Sequence, residues 1–257
     1  MSLLTADIGN GRTTLGVFDG DEVVAHWRVA TDERRTADEW AVLIRGLLAE
    51  AAITPSGIAV CATVPAVLGE WREMLASHFS EIDSVIVEPG VKTGIPVLMD
   101  NPREVGADRI VNALAALETF GGPAIVVDFG LATTFDVVNA AGQYIGGAIA
   151  PGVELSLEAL GKRGAQLRLV ELARPRNVIA KNTVEALQSG MVFGVAAQVS
   201  GIVQRMIAEL GVSPETVSVV GTGHLAPLVA EEVDCFTDHD PWLTLQGLRL
   251  VFERNMR

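Results

Sequence analysis

An aspartate–x–glycine turn, set after a short apolar run, occurs twice in the 257 residues. Asp7-Ile8-Gly9 opens the chain and Asp128-Phe129-Gly130 opens its middle. After each turn comes a run bearing hydroxyls, then a second turn and a third run. A threonine stands six residues beyond each aspartate, at Thr13 and Thr134. A chain that repeats strand, turn, strand, turn, strand at long separation is expected to fold as two related lobes. We place these at residues 1–120 and 121–257.

The rest of the pattern fills in around the two openings. Residues 3–8, 13–18 and 23–29 read as an antiparallel meander, divided by Gly9-Asn10-Gly11 and Asp19-Gly20-Asp21. Thr36 with Glu39 forms a capping box, and Trp40, Leu43, Leu47 and Leu48 give the following helix its apolar stripe. A strand over 58–64, a helix from Pro65 to about 79, a strand over 84–87 and a helix over 107–120 complete the first half. In the second half, strands are expected over 124–128, 133–138 and 143–148, then a helix near 155–160. An irregular basic stretch, 162–181, leads to a long helix. Asn182 and Glu185 cap its start and Gly211 stops it. Gly190, Gly194 and Gly201 lie inside that helix, where each costs roughly 1 kcal/mol relative to alanine. They point to close packing of another backbone. A strand over 217–220 and a helix over 244–255 end the chain.

With 49% hydrophobic and 20% charged residues, the chain can bury a substantial core, which excludes disorder as its main state. Its 19 Lys and Arg against 32 Asp and Glu give a net charge of -13, contrary to a general nucleic-acid binder. Any phosphate site must therefore be local, built from backbone N–H groups and a metal. Cys61 and Cys235 lack CxxC or zinc spacing and read as thiols of a reducing cytosol. The first seven residues carry no basic leader region, and no stretch is expected to reach the length of a membrane span. The expectation is a soluble, cytoplasmic protein with no nucleic-acid or membrane partner. His26, His78, His224 and His239 show no metal-ligand spacing.

Glycine in a tight turn lets backbone N–H groups face a phosphate, and a carboxylate at the strand end can hold a cation beside it. Two such turns facing each other across a cleft would clamp a triphosphate. Either turn alone also reads as an ordinary hairpin. Walker A and GxGxxG patterns are absent. Gly106-Ala107-Asp108-Arg109 follows the Asn101-Pro102 turn and opens a helix. There the helix dipole favours an ionised Asp108, which could accept a hydroxyl proton, and Arg109 could grip a carboxylate. Plain helix capping is the other reading. The small-residue run from Gly146 to Gly152 is expected as a loop into a helix, open to a ligand or simply tight.

Taken in order, these segments resemble the type III pantothenate kinases. The resemblance rests on Asp7-Ile8-Gly9-Asn10, Asn101-Pro102, Gly106-Ala107-Asp108-Arg109-Ile110-Val111-Asn112 and Asp128-Phe129-Gly130 with Ala132-Thr133-Thr134-Phe135-Asp136. It continues through residues 147–152, Lys181-Asn182-Thr183, Ser189-Gly190 and Leu243-Thr244-Leu245-Gln246-Gly247-Leu248. It implies an α/β fold of two duplicated ribonuclease-H-like lobes with mixed sheets, the actin-like ATPase fold, with ATP in the cleft. It also implies a homodimer with the small-molecule substrate, pantothenate, at or near the interface. Residue by residue, Asp108 would be the general base. Asp7, Gly9, Asn10, Gly11, Arg12, Thr13, Thr14, Gly130, Leu131 and Thr133 would contact ATP, with Asp7 acting with Mg²⁺. Asp128 would hold a monovalent cation, K⁺ or NH₄⁺. Met99, Gly106, Ala107, Asp108, Arg109 and Gly164 would line the substrate.

Five positions depart from the family pattern. Gly11 and Leu131 stand where threonine is expected, Met99 for tyrosine, Gly164 for threonine, and His224 for the second glycine of a Gly-Gly pair. A leucine cannot donate the hydrogen bond a threonine gives to phosphate. The expected activity is ATP-dependent phosphorylation of pantothenate to 4'-phosphopantothenate, the first step of coenzyme A biosynthesis. The alternatives are a kinase for another small hydroxy acid or alcohol, and a catalytically silent ligand-binding or regulatory relative.

Overall fold

A computed structural model describes residues 2–163 and 170–256. The chain forms two compact units. One comprises Met1–Ile95, Asn101–Ala115 and Thr244–Arg257, the other Pro96–Asp100 and Ala116–Leu243.

The first unit holds a five-stranded mixed sheet ordered β3-β2-β1-β4-β5. β1 (Ser2–Ile8), β2 (Arg12–Asp19) and β3 (Glu22–Ala30) form the meander, while β4 (Gly57–Ala62) and β5 (Asp83–Ile86) join in parallel. β1 and β4 lie inside the sheet and are buried almost throughout, whereas the edge strand β3 alternates exposed and half-buried residues. α1 (Ala37–Glu50) starts at the expected box: Thr36 Oγ1 accepts the Glu39 N–H and the Glu39 carboxylate accepts the Thr36 N–H. α2 (Pro65–His78) has its proline in the first turn, where a missing N–H costs nothing. Trp40 of α1 and Trp71 of α2 are fully buried with ring centroids 5.4 Å apart. α3 (Ala107–Phe120) follows β5.

The second unit repeats this plan. β6 (Ala124–Phe129), β7 (Ala132–Val138) and β8 (Tyr144–Pro151) form a meander, and β9 (Ser218–Thr222) and β10 (Asp238–His239) add in parallel. The sheet order is β10-β9-β6-β7-β8, the first order read from the other edge. α4 (Val153–Arg163), α5 (Thr183–Leu210) and α6 (Ala226–Ala230) connect the strands. Ile125, Val127, Phe129, Phe135 and Val137 pack with Ala196, Val199 and Val203 of α5. Asn182 caps α5 by accepting the Glu185 N–H at 2.9 Å, and Gly211 ends it in the left-handed conformation.

The final helix, α7 (Leu243–Asn255), completes the first unit. Phe252 fills the space over Gly57, where a Cβ would collide with its ring, and the Gly247 backbone lies against Val111.

Several expectations need correction. The strand expected over 143–148 runs on to Pro151 as the edge strand β8, so the end of the small-residue run is strand and not loop. α6 and the two-residue β10 were too short to stand out. α5 is, against expectation, long and apolar enough to cross a membrane by length and composition alone, with a mean hydropathy of 1.4. Val199 and Val203 lie on its core-facing side, and only 28% of that apolar window is buried within the chain. No described part of the chain packs onto Gly190 or Gly194, since a Cβ at either would meet nothing within 4 Å.

Candidate active site

The first turn is built where β1 ends. Asp7 stands in register between Thr14 of β2 and Cys61 of β4. The Cys61 thiol donates to Asp7 Oδ1 at 3.4 Å. The Gly9 N–H donates to the Arg12 carbonyl at 3.0 Å, closing the turn, and a Cβ on Gly9 would lie 3.1 Å from that carbonyl oxygen. Asn10, Gly11 and Arg12 are exposed, and a side chain at Gly11 would meet open space. Thr13 is buried and its hydroxyl pairs with that of Thr31 at 2.9 Å. Thr14, the register partner of Asp7, is the threonine on the aspartate's face of the sheet.

The second turn repeats the geometry with one residue fewer. The Gly130 N–H donates to the Ala132 carbonyl at 3.1 Å. Asp128 stands in register between Thr134 of β7 and Thr222 of β9. The equal six-residue spacing to Thr13 and Thr134 therefore does not mark equivalent positions. The structural partners are Thr14 and Thr134, and Thr13 corresponds to Thr133. Thr133 is fully buried, and its hydroxyl has no hydrogen-bond partner among the described residues. Leu131 is 51% exposed, while its carbonyl accepts the Gly152 N–H at 3.0 Å. Gly152 has no room for a side chain against that carbonyl.

Gly223, just past β9, adopts φ +92° and packs its backbone onto the second turn. A Cβ there would lie 2.6 Å from Asp128 Oδ1 and 2.7 Å from the Phe129 nitrogen. His224 Nε2 lies 3.4 Å from a Glu154 carboxylate oxygen. Thr222 was missed from sequence, and Gly223 was read as the first residue of the Gly-Gly pair without its contact to Asp128. The strand expected over 217–220 stopped short of them, and only its parallel pairing with β6 brings them to Asp128.

Asp108 occupies the first turn of α3. The residue is half-buried, but its Oδ1 is inaccessible and has no hydrogen-bond partner among the described residues. Burial pushes the Asp108 carboxyl above the usual carboxylate range. The Arg109 N–H and charge and the residue's own N–H pull the other way without cancelling it. The helix start therefore does not by itself fix the charged form, as the sequence implied. Gly106 lies directly beneath this carboxylate, where a Cβ would collide with Oδ1. Ala107 and Arg109 flank Asp108 on the same half-buried turn.

In the second unit, Met99 Sδ lies against the backbone of β8, 3.4 Å from where a Cβ on Gly146 would be. Gly164 lies outside the described residues. A cleft of about 260 Å³ lined by Val137, Ile145, Gly146, Gly147, Met206, Glu209 and Leu210 takes in two glycines of the small-residue run and none of the residues expected to contact ATP or pantothenate.

A sequence profile described as Type III pantothenate kinase matches residues 3–205. A Nocardioides protein of the same description is 72% identical over 99% of this chain and 100% of its own length. The chain belongs to the type III pantothenate kinase family. Among solved structures, the ADPNP-bound activator of 2-hydroxyisocaproyl-CoA dehydratase from Clostridium difficile matches with a TM-score of 0.58 at 12% identity, covering 100% of this chain and 96% of the other. A ROK hexokinase from Thermus thermophilus matches with a TM-score of 0.56 at 14% identity, covering 100% of both. At such identities the likeness shows the fold alone, which is the actin-like ATPase fold. The family's sequence pattern was thus legible at residues whose contacts only the structure supplies.

Proposed function

We propose that this chain transfers the γ-phosphoryl group of ATP to the primary hydroxyl of pantothenate, opening coenzyme A biosynthesis in the cytoplasm. Membership of the kinase family supports the reaction, and one observation carries its chemistry: the buried, unpartnered Oδ1 of Asp108 over Gly106. A carboxyl raised by burial is a stronger base once deprotonated, which suits it to take the proton of an alcohol. Arg109, next in the same turn, provides the charge for the pantothenate carboxylate.

The residues fit a nucleotide and its cations. In the first turn, the exposed Asn10-Gly11-Arg12 segment leaves open space for phosphate, and Asp7 is the carboxylate for hydrated Mg²⁺. In the second, Asp128 lies between two threonines under the Gly223 backbone and is our candidate for K⁺ or NH₄⁺. Bound cations supply charge neutralisation for the transferring phosphoryl group; the chain itself supplies position and a proton acceptor.

Leu131 contributes its backbone to the second turn and no hydroxyl. This favours phosphate recognition there through backbone N–H groups. The apolar, largely uncovered α5, with open space at Gly190 and Gly194, is the surface we assign to a second copy of the chain.

ADP release that requires both ATP and pantothenate, and that falls by orders of magnitude in Asp108→Asn, is the expected result. Release that ignores pantothenate but follows another hydroxy acid would move the substrate assignment.

A further inference from the structure

Asp136, fully buried on β7, has no role in the mechanism above. Its Oδ1 accepts the Tyr144 hydroxyl at 2.8 Å, and its Oδ2 accepts the Thr134 hydroxyl at 3.1 Å. A hydroxyl has one proton and two lone pairs. Because the carboxylate offers only acceptors, Thr134 turns its proton toward Asp136. Its oxygen is then left with lone pairs for any other neighbour. Thr134 is half-buried and in register with Asp128, so the two side chains share one face of the sheet, about 5 Å apart at Cβ. A carboxylate beside a hydroxyl lone pair forms part of an oxygen donor set for a hard cation.

The other partner of Asp136 reaches a different segment. The Tyr144 N–H donates to the Pro96 carbonyl at 2.8 Å, and its carbonyl accepts the Leu98 N–H at 2.8 Å. These bonds hold the stretch that leads into Met99, whose sulfur rests on Gly146. One buried carboxylate thus accepts from Thr134 beside Asp128 and from the side chain of Tyr144, whose main chain holds the tether of Met99, all within the second unit.

We infer that Asp136 is a positioning residue for the phosphoryl transfer. It turns the Thr134 oxygen outward as a ligand beside Asp128 and, through Tyr144, fixes the segment carrying Met99. The first arm rests on Asp128 as the monovalent-cation residue; the second rests on Met99 as a substrate contact.

The test uses the full chain and two readouts. One is the ATP-induced rise in Tm in KCl compared with NaCl. The other is the separate KM values for ATP and pantothenate. Thr134→Val abolishes the K⁺ advantage, and Thr134→Ser keeps it. Tyr144→Phe raises the pantothenate KM about tenfold, as the loss of one hydrogen bond to a charged group allows, and leaves the K⁺ advantage intact. Asp136→Ala does both, because it removes the acceptors of both hydroxyls. If it does not fold, Thr134→Val and Tyr144→Phe decide the matter alone. A K⁺ advantage lost in Asp128→Asn but kept in Thr134→Val overturns the first arm and spares the Asp128 reading. No K⁺ advantage in the wild type overturns both. An unchanged pantothenate KM in Tyr144→Phe overturns the second arm. A lower Tm in all variants with neither readout moved would make Asp136 a purely structural residue and sink the inference.

Discussion

Two residues back from each turn aspartate along the central strand, the neighbouring strand carries Gly16 in one sheet and Asp136 in the other. The sheets share their strand order, and the turn aspartates sit at matching register positions. Thr5 pairs with Gly16, and Val126 pairs with Asp136. At Gly16 the room a side chain would need is taken by Leu245 of α7, with its Cδ1 2.7 Å from where a Cβ would be. At Asp136 the same position is a carboxylate served by two hydroxyls. Duplication supplied one backbone plan twice. Packing in one half and polar pairing in the other made the halves chemically different.

Asp108 gives the largest test of that asymmetry. α3 and α7 each follow the last strand of their sheet, yet the second residue of α7 is Thr244 where α3 presents the carboxylate of Asp108. Asp108→Asn is expected to lower kcat about 10²- to 10⁴-fold, the usual scale for loss of a general base. The same variant should raise Tm at neutral pH. Between the ordinary carboxylate value near 3.8 and its raised native value, the folded state binds more protons than the unfolded state. Stability is therefore lost as pH rises through that window and stays lower above it. Activity runs oppositely, since the base must be deprotonated, so the acid limb of the rate profile should lie above 3.8. Kinetics and thermal melts across pH 4–8, an interval that brackets ordinary carboxylate and histidine titration, check both signs. A lower Tm for the variant would contradict the burial of this carboxylate.

Placing a carboxylate at the equivalent position of the first half should fail. Gly16→Asp would bury a charge against Leu245 and lose about 3–5 kcal/mol, read by urea unfolding. A near-neutral result would show that the first sheet can accommodate the second sheet's chemistry.

Gly11 in the first turn and Gly223 packed onto the second should also part company. Gly223→Ala forces a left-handed backbone and a side chain onto Asp128 and should cost about 1–3 kcal/mol, with ATP affinity falling alongside. Gly11→Ala meets open space and should change stability by less than about 0.5 kcal/mol. Equal effects in melting and ATP titration would mean the turns are not distinguished by packing.

The smallest expected change is Leu131→Thr. A hydroxyl on this exposed residue should strengthen ATP binding by roughly tenfold without altering Tm, the scale of one hydrogen bond to a charged group. Weaker binding, measured by titration calorimetry, would show that Leu131 itself fits the nucleotide.

The sequence made much of this legible. Capping at Thr36 and Asn182, Pro65 at a helix start and the placement of Asp7 and Asp128 at strand ends before glycine turns all read correctly, because each depends on residues a few positions apart. What escaped depends on pairing. Thr14 was not singled out from Thr13 as the partner of Asp7, because the difference lies in a turn longer by one residue. Asp136 read as the end of a motif; its partner Tyr144 lies on the next strand. β8 was expected to stop at 148, and its continuation through Ile149, Ala150 and Pro151 follows from pairing with β7.

The return of α7 to the first unit has a consequence for synthesis. The second unit's main span, Ala116–Leu243, is contiguous, whereas the first unit draws on residues from both ends of the chain. As the chain leaves the ribosome, the pockets over Gly16 and Gly57 stay unfilled until Leu245 and Phe252 emerge. Domains ordinarily mature in the order they are made. Here the half that is translated first is the half that is finished last.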